Sequence, residues 1–294
     1  MNPSESLPVG PSLETIRRPE FWREQCPTLS ITERLASWDR DVGTLSSTTR
    51  GLYQERMREE GYFQDHNAAC ARLAPALAAA VRTCKRLELP PVFVFVFDEA
   101  WECLYSLHPM LSAMLGENYR VQPEFWAWHV DPQAGEAGNV PHRDRGYQCL
   151  APDKSPNSLT VWVPLTEAIP QNGCIYVLPA NRDPVYGTEN EHRLQIDLTQ
   201  IRALPARPGE FIVWSQALLH WGAATSRFAP HPRISMGMDF QRGDLPDVEE
   251  PELLMAPFSN PGFDQRLRLI ARQITRYQQV EVPRHTRLAE QLLA

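Results

Sequence analysis

Two hydrophobic periods divide the chain. In "ACARLAPALAAAVRTCKRL" (69–87) apolar residues recur at helical spacing despite Pro75, which predicts a packed helix. "AWECLYSLHPMLSAMLG" (100–116) keeps that spacing and ends at Gly116, a suitable C-cap. Between them, "PPVFVFVFDEAW" (90–101) is almost continuously apolar and fits a buried strand or the start of an apolar helix equally well. Upstream, Thr28 and Ser30 are candidate caps for a helix within 28–40. Residues 1–18, rich in Pro, Ser and Gly, are expected to be unordered.

From 121 the period shortens. "EFWAWHV" (124–130), "SLTVWVPL" (158–165), "CIYVLP" (174–179), "EFIVW" (210–214) and "RISMGMDF" (233–240) are short runs of β-formers. Turn signals such as "DPQAGEAGN", "QNG" and "RPGE" separate them. Short strands with no intervening helices predict a sandwich or barrel. "FDQRLRLIARQITRYQQ" (263–279) then restores a helical stripe of Leu267, Ile270, Ile274 and Tyr277 that would pack on a sheet. The pattern therefore predicts one mainly β domain over 19–294, helical to about 120, with a β core at 121–242 and a closing helix at 263–279.

Composition narrows this reading. Twenty-seven prolines, scattered along 294 residues, punctuate many short elements and disfavour a helical bundle. A net charge of −7 argues against a nucleic-acid partner. Lysine occurs only at Lys85 and Lys154, which leaves two candidates for lysine-based covalent chemistry. The six cysteines lack metal-knuckle or scaffold spacing and read as reduced, buried thiols. With no basic-then-apolar leader and no apolar run of about 20 residues, a cytoplasmic protein without a membrane partner is expected. Oligomeric state leaves no trace in the sequence.

Candidate chemistry begins at "VPHRDRG" (140–146). His142 and Asp144 are two positions apart, so in an extended segment both side chains reach one point. Two histidines and one carboxylate on one face of an octahedron hold Fe(II) in non-haem oxygenases. Alone, however, His142-x-Asp144 reads more readily as a polar turn. The second histidine must come from a distant strand. His220, between Leu219 and Trp221 after "EFIVWSQALL", is the best placed, and His129 on the strand before His142 is a rival. Thirteen residues after His220, Arg233, Ser235 and Gly237 share one strand face while Ile234, Met236, Met238 and Phe240 share the other. An arginine in a β core beside only Ser and Gly suits a small dicarboxylate, held bidentately with help from the hydroxyl. Asp239, also on that face, is a competing partner for Arg233. No phosphate-binding glycine loop, HExxH or GxSxG is present.

This order of His142-x-Asp144, His220 and Arg233-x-Ser235 resembles the phytanoyl-CoA dioxygenase family of Fe(II)/2-oxoglutarate-dependent oxygenases. "LTVWVPLTEAIPQNGCIYVLPANRDP" (159–184) resembles that family's strand–turn–strand segment. The likeness is loose over 60–280 and close over 121–242. It implies a double-stranded β-helix (jelly roll) in which His142, Asp144 and His220 bind Fe(II). Arg233 and Ser235 would hold the distal carboxylate of 2-oxoglutarate, with Thr160 and Trp162 bordering it. O2 would be the other cosubstrate, and succinate and CO2 would form as a small organic substrate is oxidised. A carboxylate at Asp144, where halogenating relatives have a small residue, implies hydroxylation or another oxidation. Trp126, Trp128, Trp214, Trp221, Arg143 and Arg145 are candidate substrate contacts. One departure affects the mouth of the site. Pro179-Ala180-Asn181-Arg182 stands where the family often has Pro-Gly-Ser-His. Two other functions fit the residues: a cupin-like metalloenzyme, which has no use for Arg233, and a non-catalytic binding or sensor module.

Overall fold

The alternating segments build two antiparallel sheets in a computed structural model that describes residues 10–33, 36–37, 43–245, 255–279 and 281–294. The N-terminal elements are α1 (Leu13–Ile16), α2 (Pro19–Gln25), β1 (Ala36–Ser37), α3 (Ser47–Glu60), β2 (Tyr62–His66) and α4 (Ala68–Arg86). A 3-10 segment (Pro91–Val96), α5 (Asp98–Tyr105) and α6 (His108–Leu115) follow. The β core comprises β3 (Arg120–Val130), β4 (Ser158–Pro164), β5 (Ile175–Leu178), β6 (Arg202–Leu204), β7 (Glu210–Ser215), β8 (Leu219–Gly222) and β9 (Arg233–Gln241). The short β10 (Ser259–Asn260), which pairs with β1, precedes α7 (Phe263–Arg276) and α8 (Pro283–Leu293). The larger sheet runs β2-β7-β4-β9-β3 and the smaller β6-β5-β8. This is a jelly roll with flanking helices, mainly β in its core.

Period-two alternation assigns each strand residue to a face. Phe125, Ala127, Val161, Val163, Val213, Ile234, Met236 and Met238 point outward into the main core under the helices. There Phe125 meets Phe95 at 4.4 Å and Trp101 at 5.6 Å between ring centroids. Trp162, Ile212 and Trp214 point inward and pack with Ile175, Val177 and Leu204 of the smaller sheet, closing a second core between the sheets. The α7 stripe seals the helical side, with Leu267, Ile270 and Ile274 buried.

Four local expectations change. The 90–101 run, ambiguous in sequence, is a 3-10 segment leading into α5. The 100–116 helix is two helices, because Pro109 has no amide to continue the ladder from α5. The 28–40 helix does not form across 28–33, and most of 34–42 lies outside the described residues. Its polar groups bond α5 instead: the Ser30 amide donates to both Glu99 oxygens at 3.0 Å, and the Thr32 amide and hydroxyl donate to Asp98 at 3.0 and 2.8 Å. Of the segment expected to be unordered, 1–9 lies outside the described residues. Residues 13–16 form α1, capped by Ser12, with Ile16 fully buried. No helix among the described residues is long and apolar enough to cross a membrane. All six cysteines are buried thiols.

Candidate active site

Residues 137–142 run antiparallel to β8, extending the smaller sheet by an irregular edge strand. His142 and His220 exchange backbone hydrogen bonds of 3.0 Å, the Gly222 amide donates to the Asn139 carbonyl at 3.0 Å, and Ala137 bridges Ala224. Two glycines permit the approach. A Cβ on Gly138 would lie 2.5 Å from the Gly222 Cα, and one on Gly222 2.7 Å from the Gly138 Cα. Gly222→Ala is therefore expected to cost about 1–3 kcal/mol of stability by overpacking backbone against backbone. Denaturant melts would measure it, and wild-type stability would contradict the contact.

This pairing brings the three predicted ligands together. Asp144 Oδ1 lies 3.5 Å from Nε2 of both His142 and His220. One ligand atom from each of the three residues falls within 4.8 Å of the others. Each Nδ1 faces a carbonyl that can only accept, Val140 at 2.7 Å and Leu218 at 3.0 Å. Both Nδ1 atoms therefore carry the proton, and both Nε2 lone pairs point at the shared space. The other oxygen of Asp144 accepts from Trp214 Nε1 at 2.9 Å and from the Thr160 hydroxyl at 2.8 Å. Burial disfavours the Asp144 charge, but the two histidines and the Trp214 N–H outweigh it and hold the carboxyl below its ordinary range. Burial also lowers His220 and keeps it neutral, as a metal ligand must be. For His142 burial pulls the same way, but its hydrogen bond to Asp144 and the Asp144 charge shift it upward. His129, the rival, pairs with Ile234 on the outward face and does not reach the cluster.

Arg233 lies on the inner face of β9 and is 2% exposed. Its NH1 donates to Ser235 Oγ at 2.7 Å, and the guanidinium carbon sits 5.8 Å from the Trp162 ring. Nε has no partner, and no described carboxylate pairs with the group. Burial lowers its pKa to about 10. Arg266 shows how this fold satisfies an arginine it uses structurally. Equally buried, it donates to the Pro261 and Val96 carbonyls at 2.7 Å, to Asn260 at 2.6 Å, and to Asp98. Asp239, the competing partner for Arg233, lies six residues along the strand, about 20 Å away at ~3.3 Å per residue, and contacts Thr160 instead.

The remaining candidates separate. Trp126 and Trp128 pair with Gly237 and Ser235 and so share the inner face with Arg233. The Trp128 ring fills the space that Gly237 leaves, 3.4 Å from where a Cβ would stand. Trp126 packs on Tyr277 at 4.9 Å. Thr160 shares Trp162's face, as expected, but spends its hydroxyl on Asp144 and Asp239. Three candidate substrate contacts have partners within the fold. Arg143 is buried, donating to Asp183 at 2.6 Å and to the Ala217 carbonyl at 2.7 Å, so it ties the loop to the scaffold. Arg145 is engaged with Glu124, which also pairs with Arg276 at 2.9 Å. Trp221 faces away from His220, stacking on Tyr176 at 6.0 Å beside an apolar groove with Leu198. Alternation alone places Trp221 and His220 on opposite faces, a signal the sequence did carry. Trp214 and Gly138 carried no such signal, since their partners come from other strands.

A family model described as phytanoyl-CoA dioxygenase (PhyH) matches residues 34–229. Among solved structures the chain is similar to apo ThoJ, a non-heme monooxygenase, at 17% identity over 81% of this chain and 99% of that one (TM-score 0.59). It is also similar to the epimerase SnoN in complex with Fe3+, alpha ketoglutarate and nogalamycin RO, at 15% identity over 73% and 96% (TM-score 0.53). The third is SnoK, a non-heme alpha ketoglutarate dependent carbocyclase from nogalamycin biosynthesis, at 16% identity over 73% and 97% (TM-score 0.52). At these identities the likeness concerns the fold. No curated protein matches the chain.

Proposed function

The chain belongs to the phytanoyl-CoA dioxygenase family, and from that premise we propose that it is an Fe(II)- and 2-oxoglutarate-dependent dioxygenase oxidising a small organic molecule. The observation that carries this reading is a buried guanidinium without a carboxylate partner, in the same barrel interior as a His/Asp/His cluster. An uncompensated buried charge is strongly unfavourable, so Arg233 is explained by an anionic ligand that completes it. A cupin-like enzyme lacking 2-oxoglutarate offers no such partner.

The donor set fits the metal. Two imidazole nitrogens with bare lone pairs and one carboxylate oxygen suit Fe(II), and the cluster contains no cysteine. His142, Asp144 and His220 would hold the ion, leaving its other face for cosubstrates. Arg233 would take the distal carboxylate of 2-oxoglutarate bidentately, with Ser235 orienting the guanidinium. Trp162 walls this side and keeps water from the ion pair. Trp126 and Trp128, on the same inner face, would border the substrate. When bound, iron supplies the redox chemistry by which O2 and 2-oxoglutarate yield succinate, CO2 and an oxidised substrate. SnoN is an epimerase and SnoK a carbocyclase; for this chain the carboxylate at Asp144 supports hydroxylation or another oxidation.

Purified protein supplied with Fe(II), 2-oxoglutarate and O2 is expected to release succinate, faster with a true substrate, and to stop on chelation. Independently of turnover, 2-oxoglutarate at 100 times its Kd should stabilise the metal-loaded fold by about 2.7 kcal/mol. Absence of both succinate release and the thermal shift would sink the proposal.

A further inference from the structure

The contacts behind Asp144 contain one proton fewer than their geometry requires. Thr160 Oγ1 lies 2.8 Å from Asp144 Oδ2 and 2.9 Å from Asp239 Oδ1. Gln216 Nε2 donates to the same oxygen at 3.3 Å. A hydroxyl has one proton to give and two lone pairs to receive. If both carboxyls were ionised, one of the two short contacts would set oxygen against oxygen without hydrogen. One of them therefore carries a proton.

The surroundings assign it. Asp144 accepts from Trp214, faces two histidine Nε2 atoms and serves as the anionic member of the cluster. Among the described residues Asp239 has no cation of its own. It sits on the inner face of β9, 9% exposed, between β4 and β3. The groups facing it are Thr160 from β4, Glu124 from β3 (within hydrogen-bond reach of Asp239 and the other acceptor open to its proton), Asp144 from the preceding loop, and Tyr277 at the end of α7. Glu124 pairs in turn with Arg145 and Arg276. Asp239 is thus flanked by two anions and buried.

We infer that Asp239 is a neutral carboxylic acid that donates to Thr160, so that Thr160 donates to Asp144 Oδ2 and holds Oδ1 toward the two histidines. The inference rests on the reading of Asp144 as an iron ligand. With Asp239 as donor, Thr160 makes three bonds (two accepted, one given) and its capacity is filled. Burial first, then the Glu124 and Asp144 charges, push the Asp239 carboxyl well above its usual range, in agreement with the proton count. Asp239 is a positioning residue: it acts on the metal site only through Thr160.

Infrared spectroscopy of the metal-free protein tests the proton without iron or turnover. Wild type is expected to show a protonated-carboxyl stretch at neutral pH that Asp239→Asn abolishes. Asparagine keeps a donor toward Thr160, so Mn(II) affinity at neutral pH should be unchanged in that variant. Wild-type affinity should fall as alkaline pH ionises Asp239 and draws the Thr160 proton away from Asp144, whereas Asp239→Asn should show no such fall. Thr160→Val should weaken Mn(II) binding about 10-fold or more, with no added effect of Asp239→Asn in that background. An acid band absent from wild type, or persisting in Asp239→Asn, would overturn the inference. So would an Asp239→Asn loss of affinity as large as that of Thr160→Val. If wild type binds neither Mn(II) nor Fe(II), the iron reading fails, while a band abolished by Asp239→Asn still upholds the proton at Asp239.

Discussion

Replacing Arg233 with leucine is expected to weaken 2-oxoglutarate binding by ~30-fold to ~4,000-fold while leaving the metal-free fold at least as stable as wild type. Truncating one partner of a buried, hydrogen-bonded charge pair costs about 2–5 kcal/mol, and each 1.4 kcal/mol is about tenfold in affinity. The two halves of the prediction have one cause. In the absence of ligand, Arg233 is a desolvated cation with a single bond, to Ser235, and an orphaned Nε. Its removal relieves that cost, and apolar replacement of buried charges is often neutral or stabilising. Arg266→Leu should behave oppositely, because that guanidinium bonds two carbonyls and Asn260, which would lose this donor, and Asp98, which would lose its cation. Cosubstrate titration and thermal melts of both variants check the contrast. Unchanged 2-oxoglutarate affinity in Arg233→Leu would remove the cosubstrate role of the residue.

Asp144→Ala is expected to lower metal affinity by more than ~100-fold and to abolish succinate release. Changes to groups that merely support a metal ligand cost about 10- to 100-fold, so losing the only carboxylate of the cluster should cost more. The deletion also strips Trp214 Nε1 of its acceptor, at about 1–3 kcal/mol for a buried group left unsatisfied, while the Thr160 hydroxyl keeps its contact with Asp239. The variant should therefore melt lower without metal, and added Fe(II) should no longer raise its melting temperature. A metal-induced shift equal to that of wild type would show that the ion binds elsewhere. Isothermal titration with Mn(II) separates the metal effect from the packing effect.

Much of the site was legible because strand side chains alternate. That period placed Arg233, Ser235 and Gly237 on one face, and Thr160 and Trp162 on another, before any pairing was known. It also puts Trp221 opposite His220, on the face that stacks on Tyr176. His142, Asp144 and His220 stood out by residue type, yet their convergence depended on an edge strand admitted by Gly138 and Gly222. Arg143 and Arg145 read as free cations in sequence because nothing local answers their charge. Their partners, Asp183 and Glu124, lie 40 and 21 residues away.

The sequence by itself determined strands β3, β4, β5, β7 and β9, the face of each of their side chains, the apolar stripe of α7 and the inventory of donors. These follow from backbone periodicity and residue chemistry, which are local. Only the tertiary structure decided which donors meet. Thr160 touches Asp144 at 16 residues' distance and Asp239 at 79, so one hydroxyl joins two carboxyls through the register of β4 on β9. Register and sheet order are set by burial across the whole chain, and a shift of one residue would turn every one of these side chains to the other face.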